Sequence, residues 1–229
     1  MELKNIPKII SAKIKRALKR NKSIEEKFNA HYYYSKVWSE TYWQGRHVFK
    51  APSDLWAYQD ILYETKPDVI IECGTFHGGS TLYYANLFDI MGTAGEVITI
   101  DVDAMPDMPQ HKRITYFLGS SLSAEILEKV KELIRGKENV MVILDSDHSK
   151  EHVAKELEAY HAFVSAGCYL VVEDSNLNGH PVFSGFGHGP GPMEAMEEFL
   201  PRHPEFVIDA SKEKYMLTFN PKGYLKKIT

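Results

Sequence analysis

The chain of 229 residues predicts a doubly wound, Rossmann-like α/β fold with a mostly parallel sheet. Three observations predict it. Short apolar runs rich in Val and Ile alternate with segments long enough to be helices. The runs are continuous rather than alternately apolar and polar, as expected of strands buried on both faces. Two of them end in acid: Val140–Leu144 leads into Asp145-Ser146-Asp147-His148, and Cys168–Val172 leads into Glu173-Asp174-Ser175-Asn176. The carboxyl ends of parallel strands are where polar chemistry collects in such folds.

The elements follow in order. Ile6, Ile10, Ile14 and Leu18 recur every four residues among lysines, the pattern of a basic amphipathic helix that packs on the body or meets a membrane surface. Tyr32, Tyr33, Tyr34, Trp38, Tyr42 and Trp43 form an aromatic cluster suited to packing and to self-association. Residues 1–50 thus read as a helical and aromatic extension, and residues 51–229 as the main domain. Pro52-Ser53-Asp54 is expected to start a helix through Tyr63, with Ser and Asp accepting from its first amides. Strand Val69–Ile71, a glycine turn and a helix over 80–88 come next. Val97–Ile100, closed by Asp101, and Ile114–Leu118 are strands. Helix Ala124–Ile134 precedes strand Val140–Leu144, and a helix over 150–163 precedes strand Cys168–Val172. After a Gly/Pro-rich stretch a helix runs over 193–200. Phe206–Ile208 and Tyr215–Phe219 read as a closing antiparallel hairpin.

Composition narrows the functional classes. The net charge of −4 divides into a local +6 over residues 1–27 and −10 over the rest, and an acidic body argues against nucleic acid as partner. Two cysteines, each in or beside an apolar run, read as reduced core thiols and suit a cytoplasmic protein. No run approaches the ~20 apolar residues of a membrane span.

Three or four carboxylates gathered at one rim repel each other unless a cation joins them, and oxygen ligands favour a hard ion such as Mg²⁺. His148 beside them is a candidate base. Upstream, Glu72-Cys73-Gly74 and Gly78-Gly79-Ser80 mark a tight strand-to-helix turn, but not the GxGxxG of dinucleotide enzymes. Glu72 there would repel a pyrophosphate and attract a cationic group, while Asp101 holds the place of a ribose-binding acid. A nucleoside with cationic character, such as S-adenosylmethionine, follows.

The runs Lys66–Gly74, Gly78–Ser80, Ile143–His148, Leu170–Asp174 and Gly189–Pro192 together resemble the cephalosporin hydroxylase family, over residues 42–200. That resemblance implies the class I fold of S-adenosylmethionine-dependent methyltransferases and a likeness to rhamnosyl and macrolide-sugar O-methyltransferases. It puts Glu72, Gly74 and Ser80 around the methionine part, Asp101 at the ribose, Ser121 near the adenine, and Asp145 beside the cofactor. It puts Mg²⁺ on Asp145, Glu173 and Asp174, and the base at His148. Asp147 is left between orienting His148, joining the metal and capping a helix. His180 and His188 are candidates for substrate contact. The implied activity is methyl transfer to a hydroxyl of a sugar or other acceptor with adjacent hydroxyls. The alternatives are a non-catalytic cofactor-binding partner of a biosynthetic enzyme and an NAD-binding oxidoreductase.

Overall fold

A computed structural model describes residues 23–183 and 190–229; the basic N-terminal helix and His188 lie outside the described residues. In chain order the elements are α1 (Ile24–Ser35), β1 (Tyr42–Trp43), β2 (Arg46–His47), α2 (Pro52–Thr65), β3 (Val69–Cys73), α3 (Gly79–Met91), β4 (Glu96–Asp101) and β5 (Ile114–Leu118). They continue with α4 (Ala124–Ile134), β6 (Val140–Leu144), α5 (Lys150–Tyr160), β7 (Tyr169–Val172), α6 (Pro192–Phe199), β8 (Phe206–Ile208) and β9 (Tyr224–Lys227).

The main sheet has seven strands in the order β5-β4-β3-β6-β7-β9-β8. The first five are parallel, and β9 runs antiparallel to both its neighbours. Side chains alternate across it as the two-residue period demands. Val69, Ile71, Val142, Leu144, Leu170 and Val172 meet α4, α5 and α6 on one face. Ile70, Met141, Ile143, Tyr169 and Val171 meet α2 and α3 on the other.

Strand order reverses between β3 and β6, and there the chain needs a glycine. Gly74 has φ +99°, and a Cβ on it would fall 1.9 Å from the Asp145 carbonyl oxygen, so the turns after β3 and β6 touch backbone to backbone. Gly79 serves a different contact. A Cβ there would meet the His47 carbonyl at 1.9 Å, so the β1–β2 hairpin sits directly on the first turn of α3.

Two expectations are corrected. Tyr215–Phe219 is not a strand; β9 is Tyr224–Lys227, inserted between β7 and β8. Phe219 packs instead against Tyr33 and Trp38, at ring distances of 5.4 and 5.7 Å, in a small satellite core. Ser53 and Asp54 do not cap α2, which starts with Pro52 at its first position after an extended Ala51. The Ser53 hydroxyl donates to the Leu217 carbonyl, while Asp54 accepts from the Phe219 N–H at 2.8 Å and the Tyr224 hydroxyl at 2.9 Å. The start of α2 therefore ties down the C-terminal segment.

Asp54 is 1% exposed, and burial, reinforced by the nearby Glu173 charge, pushes its carboxyl up to about 7. A carboxyl raised on folding favours the fold at low pH, and that stability is lost as pH rises toward the folded value. Asp54→Asn is expected to flatten the decline in unfolding free energy between about pH 4 and 7, removing a loss of about 4 kcal/mol in the wild type. Urea unfolding at intervals across that range checks it.

Candidate functional site

The acid-tipped strands supply the centre of the site. Leu144 pairs with Val172, so Asp145 and Glu173 follow side by side at the carboxyl ends of β6 and β7. Each comes one residue after a side chain on the α5 face, so each turns toward the opposite face. Their charges are met there by Lys50, whose Nζ lies 2.7 Å from Asp145 Oδ2 and 2.8 Å from Glu173 Oε1. Lys50 and Glu173 are each only 3% exposed. The Tyr58 hydroxyl of α2 donates to the same Glu173 oxygen. Burial works against the Lys50 ammonium, but Asp145 and Glu173 outweigh it and hold the group well above the usual lysine range.

Asp174 follows Glu173 in the chain and lies outside the Lys50 bridge. Its backbone has φ +54°, and its N–H donates to Asn220 Oδ1 at 2.9 Å. Asp174 Oδ2 stands 3.2 Å from His148 Nε2. Asp145, His148 and Asp174 each bring a ligand atom within 4.8 Å of the others, a set able to hold a cation. Burial raises the Asp145 and Asp174 carboxyls; Lys50 opposes this chiefly at Asp145, and His148 at Asp174. Asp147 is exposed and accepts the Ser149 N–H at 2.7 Å, just before α5, which holds its carboxyl low. His180 lies 2.8 Å from Glu194 of α6, whose other oxygen accepts the Gly191 N–H.

A second cluster flanks the first across the Gly74–Asp145 contact. Glu72 is fully buried, because alternation in β3 turns it toward α3. One of its oxygens accepts from Ser80 at 2.6 Å, and the other from Thr81 at 2.5 Å and Thr99 at 2.8 Å. Burial raises its carboxyl against those bonds. It sits fully buried beneath the turn, with Ser80 between it and the α3 surface. Asp101 accepts from the amides of Thr75 and Phe76 at 2.8 Å and of Asp103 at 3.0 Å. A carboxylate has about four acceptor sites, so one remains open. Phe76, Val102 and Leu118 stand exposed around this acid, apolar side chains at a strand-end rim. Ser121 and Ser146 converge on Glu156 Oε1 at 2.5 and 2.8 Å.

Lys50 and Tyr58 are the residues that sequence reasoning missed. The excess of acid at one rim calls for positive charge, and the sequence motif points to a metal alone to meet it. A lysine between Phe49 and Ala51-Pro52 is the local signal that a second cation lies in the chain itself.

A family model described as rhamnosyl O-methyltransferase/CmcI matches residues 35–228. The rhamnosyl O-methyltransferase of Mycobacterium tuberculosis (strain ATCC 25618 / H37Rv) is 40% identical over 211 residues, covering 89% of this chain and 84% of that protein. The protein of that name from Mycobacterium leprae (strain TN) is 38% identical over 210 residues, covering 89% of this chain and 90% of its own. A solved structure of CmcI with Mg and SAM aligns with a TM-score of 0.63 at 22% identity, covering 83% of this chain and 78% of that one, a likeness of fold.

Replacing Lys50 by Met leaves Asp145 and Glu173 facing each other without a counter-charge. The variant is expected to lose about 3–5 kcal/mol of stability at pH 8. The loss should shrink at pH 5, where the raised Asp145 carboxyl takes up a proton more readily. Urea unfolding of both proteins at the two pH values provides the check.

Proposed function

The chain belongs to the rhamnosyl O-methyltransferase/CmcI family, and on that premise we propose that it is an S-adenosylmethionine-dependent O-methyltransferase acting on a sugar hydroxyl. A rhamnosyl unit is the acceptor to try first, given the names of its relatives. The observation that carries this reading is the meeting of two half-sites at the strand switch point. The Gly74–Ser80 turn with Asp101 lies on one side, and Asp145, His148 and Asp174 lie on the other.

The residues of the first half fit the methyl donor. The open acceptor site of Asp101 suits a ribose hydroxyl. A nucleoside lying there would cover Phe76, Val102 and Leu118, which otherwise remain in water. Ser121 and Ser146, fixed by Glu156, suit the adenine end. Gly74 and Ser80 line the methionine end, and Glu72 keeps Ser80 in place.

The second half fits a divalent cation. Asp145 and Asp174 would hold Mg²⁺, with His148 beside them as the base and Glu173 behind them joined to Lys50. When bound, Mg²⁺ supplies Lewis acidity that lowers the pKa of an acceptor hydroxyl and fixes its direction. His148 takes the hydroxyl proton, and Asp174, 3.2 Å away, stabilises the imidazolium that forms. The acceptor oxygen bonds to the methyl carbon as the carbon–sulfur bond breaks, and its electron pair passes to sulfur. Alignment of donor and acceptor across the Gly74–Asp145 contact contributes through proximity.

Incubation with S-adenosylmethionine, Mg²⁺ and a rhamnoside is expected to give a product heavier by one methylene, read by mass spectrometry. EDTA should abolish turnover and added Mg²⁺ restore it; unchanged turnover in excess EDTA would remove the metal from the scheme. His148→Ala should lower kcat by about 10²–10⁴-fold with donor affinity intact. Asp101→Ala should weaken donor binding, measured by calorimetry. Tight NAD binding with no S-adenosylmethionine binding would sink the reading.

A further inference from the structure

A second cluster of metal-ligating side chains lies at the other end of the sheet. Glu158 closes α5, His161 follows in a short 3₁₀ turn, His203 comes after α6, and Glu205 leads into β8. Because β8 is antiparallel to β9, and β9 to β7, β8 runs parallel to β7. The cluster therefore stands at the amino ends of these strands, on the rim opposite Asp145 and Asp174.

Glu158, His161 and His203 each place one ligand atom within 4.8 Å of the others. His203 Nε2 lies 3.4 Å from Glu158 Oε2, and its Nδ1 lies 3.3 Å from Glu205 Oε1. The two histidine rings are 4.3 Å apart, centre to centre. A tetrahedral zinc with bonds of about 2.0–2.1 Å separates its ligand atoms by about 3.3–3.4 Å. The rings are already held: His203 stacks on Phe199 at 4.0 Å, and His161 packs edge-on to Phe199 at 5.9 Å and Phe206 at 6.5 Å. Arg202 holds the other oxygen of Glu158 at 2.7 Å and fixes that carboxylate. The His203 and His161 side chains are 14% and 23% exposed, so an ion could enter from solvent.

We propose that Glu158, His161 and His203 form a zinc site, with Glu205 orienting His203 from its outer nitrogen. Two imidazoles with a carboxylate favour zinc over magnesium, whereas the oxygen-rich set at the opposite rim favours the harder ion. A carboxylate on the far nitrogen of a ligating histidine is the usual support for such a ligand. The ion would staple the ends of α5 and α6 to the start of β8, three elements far apart in the chain.

Calorimetric titration of the whole, chelator-treated protein with zinc chloride, in excess Mg²⁺ to occupy the acidic rim, is expected to show one zinc per chain. His161→Ala/His203→Ala should weaken zinc binding roughly tenfold or more, since loss of an outer-shell partner alone costs that much. Zinc should raise the melting temperature of the wild type and not of this variant. His148→Ala should bind zinc as the wild type does. If the double variant fails to fold, His203→Gln must show the same loss. Unchanged zinc affinity in these variants, or loss only in His148→Ala, overturns the proposal.

Discussion

The joining of Asp145 and Glu173 by one buried ammonium is the constraint on which the remaining geometry depends. Parallel pairing of β6 and β7 delivers two carboxylates to adjacent positions on one face. Left alone, each would cost several kcal/mol to bury as a charge, and their mutual repulsion would add to that. Lys50 removes the repulsion and satisfies an oxygen of each, and the Tyr58 hydroxyl adds a further bond to Glu173. This arrangement also fixes where the chain before α2 must run. Lys50 reaches the strand ends only if the β1–β2 hairpin packs on α3, and Gly79 lets the His47 carbonyl make that approach.

The same logic separates roles among acids that look alike in sequence. Glu72, Asp101, Asp145, Glu173 and Asp174 all lie at or near strand ends. Alternation turns Glu72 into a cavity of hydroxyls from Ser80, Thr81 and Thr99, where it organises the turn. Asp101 gathers backbone amides and keeps one acceptor site open. Lys50 and Tyr58 both bond to Glu173 Oε1, whereas the left-handed backbone at Asp174 aims its carboxylate at His148. Position relative to the pleat, more than residue type, decides which acid faces chemistry.

Much of the fold was legible because its signals are local. Ile114–Leu118, Ala124–Ile134 and Val140–Leu144 have the bounds that apolar run length and periodicity predict. The failures came where tertiary contacts override the local pattern. Tyr215–Phe219 looks like a strand, yet its apolar residues are taken by the aromatic side chains of Tyr33 and Trp38. Tyr224–Lys227 looks too polar for an inner strand, but the lysine stems lie along aromatic rings: Lys226 Nζ is 5.6 Å from the Tyr169 ring and Lys227 Nζ is 5.6 Å from that of Phe206. In the candidate site, the acids and His148 were visible as a motif. The partner of Glu173 was not, since Lys50 is 123 residues away and no spacing rule links them.

A lysine in this place changes what a divalent ion would be needed for. In a domain whose carboxylates have no other counter-charge, cation binding and folding become one equilibrium. Here the pair at greatest risk, Asp145 with the nearly inaccessible Glu173, is already bridged by an ammonium of the chain. Asp145 and Asp174 keep 24% and 21% of their side chains exposed. On the proposed reading, an ion arriving from solvent would meet a site assembled before it binds. Its binding energy would go into directing an acceptor oxygen rather than into building the walls around it. Lys50 stabilises the framework, and the outer face of the cluster is left for chemistry.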